Sequence, residues 1–232
     1  MKKILLTFIL AVLIVCIYQL NPKKTVTLDE SVTVSLPDTA RIELKKGDIL
    51  VRPNSEKLPG TCSIKNGRRY GHVAVVIKDA SGSSIDEALS EATVIEALFF
   101  DQQTRKFQFA RKDQIREASA ITSFGKRFKG IRYRLRMDLT DDQIEEMIGF
   151  LKNQLDGGYN LLSAKKKFES DIRRKSEVMN NTNSNWHCAT LVWEAFYLSA
   201  GIDIDANGGI FIYPADIIAS RYFDLPGGRV CF

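Results

Sequence analysis

One stretch towards the C-terminal end has the apolar pattern of a central helix. Residues 189–200 are apolar or aromatic apart from two hydroxyl residues and a single charge, Glu194. A helix that is apolar on nearly every side is buried in the core instead of lying on the surface. Gly201 provides a stop at its C-terminal end. The sequence therefore predicts a buried helix whose first turn carries Cys188.

Shorter runs of β-branched and aromatic residues predict a sheet before and after this helix. They lie at residues 47–53, 70–77, 93–100, 105–111, 131–137, 210–213 and 230–232. Because side chains alternate between the two faces of a strand, His72 shares a face with Ala74 and Val76. The run at 105–111 alternates polar and apolar residues, which predicts a half-exposed strand of the same sheet.

Two further segments have helical patterns. Residues 85–92 predict a short helix, and residues 139–155 predict a longer one with an apolar stripe. Thr140 and Gln143 have capping-box spacing at the start of the longer helix, and the glycine pair at 157–158 ends it. We interpret this helix as structural.

The beginning of the chain has the composition of a secretory signal or a membrane anchor. Two lysines follow Met1, and residues 4–20 contain no charge, as in the positive and apolar regions of such segments. Cys16 resembles the lipidated cysteine of bacterial lipoproteins, but Val15 stands where a small residue is usual, so an anchor or an ordinary signal is favoured. Each alternative places the folded domain outside the cytoplasm, at the bacterial cell envelope, either membrane-anchored or secreted.

Length and charge indicate how many domains the chain contains and which kinds of partner it has. The chain has 232 residues, enough for one domain of ordinary size after the first segment is subtracted. We predict a signal or anchor at 1–21, a stem at 22–43 and a single domain at 44–232. The net charge is +5, but four of the lysines, at positions 2, 3, 23 and 24, flank the N-terminal segment. The basic balance therefore does not indicate nucleic-acid binding.

The cysteines and histidines decide which chemistry is available. The four cysteines, at positions 16, 62, 188 and 231, have no metal-ligand spacing, and the two histidines add none. The sequence therefore predicts neither a metal nor another cofactor. In an oxidising compartment Cys62 and Cys231 can pair, which would leave Cys188 as a free thiol.

Cys188 is a candidate nucleophile because the N-terminal end of a helix favours the thiolate form of cysteine. Free cysteines are nevertheless often buried simply as small apolar residues. A nucleophilic role for Cys188 therefore requires a base close to its thiol. His72 stands at the beginning of a strand, after Gly71. Glu96 lies inside an apolar strand, where a carboxylate is costly unless it is paired. It either pairs with an arginine or lysine at a sheet edge or accepts a hydrogen bond from His72 and sets the tautomer of that ring.

The second histidine, His187, is next to Cys188 in the sequence. Consecutive residues at a helix start point in directions about 100° apart, so the His187 ring is poorly placed to face the Cys188 sulfur. We therefore favour His72 as the base and predict that His187 is a helix cap or lies at the rim of a pocket.

Five segments occur in the order of a known enzyme family. They are residues 47–50, 71–76, 94–97, 187–193 and 213–217. In this order the chain, from about residue 44 to 232, resembles the circularly permuted papain-like enzymes of the NlpC/P60 superfamily, in particular the YiiX/YaeF-like amidases. The resemblance implies an α+β papain-like fold in which an antiparallel, barrel-like sheet packs on a cysteine-bearing helix. It assigns the nucleophile to Cys188, the base to His72 and the orienting acid to Glu96.

The resemblance implies an extracytoplasmic cysteine hydrolase. The Cys188 thiolate would attack a carbonyl carbon, His72 would take and return the proton, and Glu96 would hold the imidazole. The backbone N–H of Cys188 would belong to the oxyanion hole. The expected substrate is an amide in a peptide, a murein peptide or a lipid-linked molecule.

Two alternatives remain open at the level of the sequence. One is a lipid acyl hydrolase or acyltransferase similar to lecithin:retinol acyltransferase, whose relatives use a second histidine where this chain has Glu96. The other is a catalytically silent binding module on the same fold, since each candidate residue can also be structural.

Overall fold

The apolar runs of the sequence pair into one large sheet. The computed structural model describes residues 28–53, 62–64, 68–101, 106–107, 113–165 and 184–232. The strands in these segments are β1 Thr33–Ser35, β2 Ile42–Leu44, β3 Ile49–Pro53, β4 Cys62–Ile64, β5 Arg68–Lys78, β6 Ala80–Gly82, β7 Thr93–Ala97, β8 Phe100–Asp101, β9 Lys106–Phe107, β10 Ile115–Ser119, β11 Tyr133–Leu135 and β12 Arg229–Cys231.

The main sheet has the order β1-β12-β11-β3-β5-β7-β10, and β4 also pairs with β5. All of these pairings are antiparallel except that between β1 and β12. Two small sheets, β2-β6 and β8-β9, accompany it. The prediction of an α+β fold with a mostly antiparallel sheet is confirmed, and the described strands form an open path from β1 to β10.

Helices cover both faces of the main sheet. The α-helices in the described segments are α1 Ile85–Glu91, α2 Ile121–Phe124, α3 Asp141–Asn153, α4 Cys188–Ala200 and α5 Pro214–Ile218. Val73 and Val75 of β5 belong to the apolar core that contains α4 and part of α3. Ala74 and Val76 belong to a second core with α1 and Phe124. The period-two alternation of β5 is thus used on both sides, and it separates the two cores.

The predicted helix signals lie where the sequence placed them. Thr140 and Gln143 form the reciprocal capping box at the start of α3. Gly201 adopts a left-handed φ of 69° after α4, and its N–H bonds to the Tyr197 carbonyl, as in a C-terminal helix stop. The long helix α3 ends at Asn153, a few residues before Gly157.

Two predicted strands differ from the structure. Within 105–111, only β9 is described, and it pairs with β8 in a separate small sheet; the rest of that run lies outside the described residues. The strand next to β7 in the main sheet is instead β10, whose sequence Ile-Arg-Glu-Ala-Ser has a single β-branched residue. Residues 210–213 form no strand; they begin with a bend at 210–211 and lead into α5, and the Ile210 carbonyl accepts a hydrogen bond from the Lys165 N–H.

The structure describes part of the predicted stem but not the predicted signal or anchor. Strand β1, in the range assigned to the stem, pairs in parallel with β12 and so belongs to the main sheet. The predicted signal or anchor at 1–21, including Cys16, lies outside the described residues. Within the described part of the chain, no helix is long and apolar enough to span a bilayer.

The hypothesis that Cys62 pairs with Cys231 is wrong. Cys231 carries a free thiol. It lies in β12, whereas Cys62 is opposite Tyr70 on the far side of β5. Four strand spacings, roughly 19 Å, separate the two backbones, and a disulfide needs Cα atoms within about 7 Å.

A buried ion pair holds the segment before residue 166 against the loop after α4. The Lys165 ammonium contacts the Asp205 carboxylate, and the two side chains are 1% and 0% exposed. Trp193 of α4 lies beside the same ammonium, 5.5 Å from its ring centroid to Nζ. Removing one member of such a pair leaves the other charge buried without its partner.

We expect Lys165→Met to lower the free energy of unfolding by about 3–5 kcal/mol, measured by urea denaturation. The matched control is Lys46→Met, which breaks an ion pair with Glu145 in which both side chains are largely exposed; its effect should be at most about 1 kcal/mol. Equal effects of the two substitutions would contradict a stabilising role for the buried pair.

Candidate active site

Cys188 is the first residue of α4 and is 1% exposed. The residue before it, His187, is the N-cap: its Nδ1 accepts a hydrogen bond from the Ala189 N–H at 3.3 Å. The same nitrogen is 4.0 Å from the Cys188 sulfur. The prediction that His187 caps the helix is confirmed, and the lone pair of Nδ1 is engaged by the backbone rather than available to take the thiol proton.

His72 and Glu96 meet because their strands are neighbours. Ala74 of β5 is directly opposite Glu96 of β7, and His72 is two residues before Ala74, so its side chain is the diagonal neighbour of Glu96 on the same face. His72 Nε2 is 2.8 Å from Glu96 Oε2, and both side chains are buried. The contact that the sequence predicted between these two residues is present.

The second oxygen of Glu96 has its own partners. Arg116 of the edge strand β10 donates to Oε1 from Nε and Nη2, each at 3.2 Å. Ser123 of α2 donates to the same oxygen at 2.9 Å. Burial favours the neutral acid, but His72, Ser123 and Arg116 outweigh it and lower the pKa of Glu96 to about 2. Both predicted partners of Glu96 are therefore present: the carboxylate contacts an arginine of the edge strand and also the His72 imidazole.

His72 also interacts with the Cys188 thiol. Its Nε2 faces Glu96, so Nδ1 is the ring nitrogen left for the sulfur. Burial lowers the pKa of His72, but its hydrogen bonds to Cys188 and Glu96 outweigh burial and raise that pKa. Burial raises the pKa of Cys188, but the imidazoles of His187 and His72 hold it well below its ordinary value. The arrangement favours a thiolate beside an imidazolium.

Tyr159 is a site residue that the sequence did not indicate. Its hydroxyl donates to the Cys188 sulfur at 3.8 Å, and its backbone N–H donates to Gln114 Oε1 at 2.6 Å. A β-bridge to Trp186 fixes it beside the start of α4. Burial and the nearby Cys188 charge raise the pKa of Tyr159 well above its ordinary value, so the hydroxyl remains a hydrogen-bond donor.

The glycine pair at 157–158, which the sequence pattern explains as a helix stop, is the sequence feature that points to Tyr159. A Cβ at Gly157 would lie 2.4 Å from the Ser184 carbonyl oxygen. Glycine is therefore needed for the close approach that brings the segment before α4 to Tyr159.

Arg52 is the second residue that sequence reasoning missed. It is opposite His72 in the β3-β5 ladder and is 3% exposed. Its guanidinium carbon lies 3.9 Å from the centroid of the Phe128 ring. Burial lowers the pKa of Arg52 to about 10, against the opposing effect of Glu96 and Cys188. The sequence feature that points to Arg52 is its position as a single charged residue directly after the apolar run 49–51.

The residues described by the structure contain no group of three or more His, Cys, Asp or Glu side chains arranged to hold a metal ion. The described side chains of the site are a thiol, two imidazoles, a carboxylate, a phenol, a serine hydroxyl and two guanidinium groups.

Known proteins share limited similarity with this chain, and no protein-family model matches it. The uncharacterized protein YycO of Bacillus subtilis (strain 168) is 50% identical over 48 residues, which are 19% of this chain and 20% of that protein. The match thus spans one fifth of the relative's length. The crystal structure of metalloprotein yiiX from Escherichia coli O157:H7, DUF1105, has a TM-score of 0.48 and 11% identity, over 82% of this chain and 96% of that chain.

We expect Glu96→Gln to lower the free energy of unfolding at pH 6, because glutamine cannot provide the charge that His72 and Arg116 contact. The Glu96 carboxyl is ionised in the fold down to pH about 2, against 4.5 ordinarily. The wild type therefore loses this stabilisation between those pH values. The difference between variant and wild type should shrink over that range in urea unfolding.

The control for this experiment is Glu145→Gln, which removes an exposed carboxylate and should stay within about 1 kcal/mol of the wild type at pH 6, 4 and 3. A Glu96→Gln difference that is constant with pH would show that the carboxyl is not ionised in the fold.

Proposed function

We propose that this chain is a thiol hydrolase of the permuted papain-like NlpC/P60 type, which cleaves an amide bond through an acyl-enzyme on Cys188. One observation carries the proposal: the buried series Cys188, His72 and Glu96, with the last two joined at 2.8 Å. These residues come from three separate elements, and the histidine and acid precede the cysteine in the chain, as in the enzymes that the sequence resembles.

In the first half of the reaction, the Cys188 thiolate attacks the amide carbonyl carbon and forms a carbon–sulfur bond, and the carbonyl π electrons move to oxygen. The tetrahedral intermediate then collapses and the carbon–nitrogen bond breaks. The imidazolium of His72 donates its Nδ1 proton to the departing nitrogen. The products are a free amine and a thioester on Cys188.

In the second half, neutral His72 takes a proton from water, and the hydroxide oxygen attacks the thioester carbon. The carbon–sulfur bond breaks, and the sulfur leaves as the thiolate beside the reprotonated imidazole. A carboxylic acid is released. Glu96 remains ionised throughout, because its pKa of about 2 is far below that of the imidazolium it contacts.

Tyr159 supports this chemistry as a hydrogen-bond donor to the sulfur. Its hydroxyl is a neutral donor 3.8 Å from the atom that gives up its charge. A donor fixed beside the nucleophile can also reach the carbonyl oxygen that becomes negative, and such preorganised donors stabilise the transition state. We assign Tyr159 to the oxyanion site together with the Cys188 backbone N–H.

The substrate class follows from the resemblance and from the predicted location. We propose an amide in a peptide, a murein peptide or a lipid-linked molecule, with the domain directed outside the cytoplasm by the signal or membrane anchor at residues 1–21. The uncharged segment at 4–20, preceded by two lysines, supports this location.

We expect Cys188 to react with iodoacetamide well below pH 8.5, the ordinary pKa of a cysteine. His72→Ala should reduce the alkylation rate at pH 6 by about tenfold or more, because the thiolate loses the imidazolium beside it. Rates are measured by mass spectrometry of the peptide that contains Cys188, and buried Cys231 in the same molecule is the internal reference. A pH profile unchanged by His72→Ala would refute the assignment of the base.

Cys188→Ala should reduce amide hydrolysis by at least about 10³-fold, tested on purified murein peptides and on peptide p-nitroanilides. Cys231→Ala is the matched control, and it should retain activity because its thiol lies in β12, away from the site. Full activity in Cys188→Ala would refute the proposal. A wild-type thiol that is inert to every electrophile would favour the binding module instead.

A further inference from the structure

The segment at the start of β10 contacts both halves of the candidate site. Arg116, the second residue of β10, reaches Glu96, and Gln114, which directly precedes β10, reaches Tyr159. Glu96 in turn contacts the base, and Tyr159 contacts the nucleophile. Neither Arg116 nor Gln114 belongs to the five segments on which the family resemblance rests.

Arg116 determines how much of the Glu96 charge acts on His72. It is directly opposite Glu96 in the β7-β10 ladder, and its Nε and Nη2 both donate to Oε1. The other oxygen, Oε2, is the one that contacts His72. Arg116 thus occupies one oxygen of the carboxylate and shares its charge, and only the second oxygen is directed at the imidazole.

This sharing matters because His72 has two opposite tasks in the proposed reaction. It donates a proton to the leaving nitrogen and later takes one from water. A group that transfers protons in both directions works best when its pKa lies near the working pH. A buried carboxylate without a second cation would hold the imidazolium too firmly, because an opposite charge nearby favours the charged form. Arg116 keeps Glu96 ionised and limits its pull on the proton of His72.

Gln114 fixes the position of Tyr159. Gln114 is 2% exposed, and its Oε1 accepts the Tyr159 N–H at 2.6 Å. Its own backbone is held on both sides, because its N–H donates to the Gly157 carbonyl and its carbonyl accepts the Leu98 N–H. The anchored tyrosine carries the hydroxyl that donates to the Cys188 sulfur. The anchor therefore sets where that hydroxyl lies relative to the sulfur.

We propose that Arg116 and Gln114 are positioning residues of the site. Arg116 acts through the acid and sets how firmly the base holds its proton, and Gln114 acts through the phenol and sets the hydrogen bond to the thiolate. This inference rests on the proposed function, because it takes His72 as the base and Cys188 as the nucleophile. It differs from a merely structural role, in which the two side chains would fasten β10 to its neighbours and leave both titrations unchanged.

The role of Arg116 is tested by NMR titration of His72 in the full chain carrying Cys188→Ala, so that the thiol does not contribute. The chain has two histidines, and the signal lost in His72→Asn identifies His72. We expect Arg116→Gln to raise the His72 titration midpoint by about half a pH unit or more, because the carboxylate then acts on the imidazolium alone. Arg116→Lys keeps the charge but not the two-nitrogen contact. Its midpoint should lie between the other two, and it replaces the glutamine variant if that chain does not fold.

The matched control is Arg221→Gln, because Arg221 is an exposed arginine beside Tyr222. It should move the His72 midpoint by less than about 0.2 pH units, since solvent screens an exposed charge. Arg52, whose charge also acts on His72, is the same in every variant. An unchanged or lower His72 midpoint in Arg116→Gln would contradict the role of Arg116.

The role of Gln114 is tested by the pH midpoint of Cys188 alkylation with iodoacetamide. Tyr159→Phe removes the donor to the thiolate, and Gln114→Met removes the anchor of that donor. Each should raise the midpoint by about half a pH unit or more, because the thiolate loses a hydrogen bond. Since both changes act on one bond, the double variant should move the midpoint no further than the larger single change. Gln114→Asn, whose shorter side chain withdraws the acceptor, is used if the methionine variant does not fold. Additive shifts would show that Gln114 does not act through Tyr159.

The outcomes separate this inference from the proposed function. If Cys188 is alkylated and neither midpoint moves in the variants, the positioning roles are refuted while the nucleophile stands. If both midpoints move as expected but Cys188→Ala keeps full amide hydrolysis, the positioning contacts stand and the proposed function is refuted.

Discussion

The buried carboxylate of Glu96 is the constraint on which the rest of the site depends. A charge with no exposure is tolerated only when its oxygens are satisfied, and here His72, Arg116 and Ser123 do so. These partners come from β5, β10 and α2, so one carboxylate ties three elements to β7. A register slip of one residue would move Glu96 to the apolar face covered by α4, and the sheet is thereby fixed in the alignment that brings His72 to the thiol.

The helix that carries Cys188 is capped in an unusual way that suits a thiolate. The common N-caps are serine, threonine, asparagine and aspartate, and an aspartate would place a negative charge beside the sulfur. His187 instead accepts the Ala189 N–H at Nδ1 and places no carboxylate beside the sulfur. The first turn is therefore satisfied without opposing the positive end of the helix dipole, which helps to hold the thiolate.

The fold could be predicted from the sequence wherever an element has a periodic pattern of apolar residues or a local capping motif. The alternation in β5 and β7, the capping box of Thr140 and the apolar helix α4 all depend on residues close in the chain. The contact between His72 and Glu96 was also within reach, because two adjacent strands and the parity of their side chains suffice to place both residues on one face. The edge strand β10 was missed, since five residues of mixed polarity carry almost no periodicity.

The remaining site residues depend on tertiary placement that no local pattern encodes. Arg116 and Ser123 contact Glu96 only because β10 and α2 pack beside β7. Arg52 and Tyr159 reach the site through the β3-β5 register and the bridge to Trp186. Each is an ordinary residue type in its own segment, and its role comes from the three-dimensional neighbours alone.

These neighbours determine how charge can move in the site. When the thiolate attacks, negative charge passes from sulfur to the carbonyl oxygen a short distance away. Tyr159 remains protonated through that change, because burial and the Cys188 charge raise its pKa. Glu96 remains ionised and keeps the proton of His72 on Nε2, so Nδ1 alone exchanges protons. A site with one mobile proton and fixed surrounding charges needs little reorganisation during the reaction, which is the condition under which buried dipoles and charges lower a barrier most.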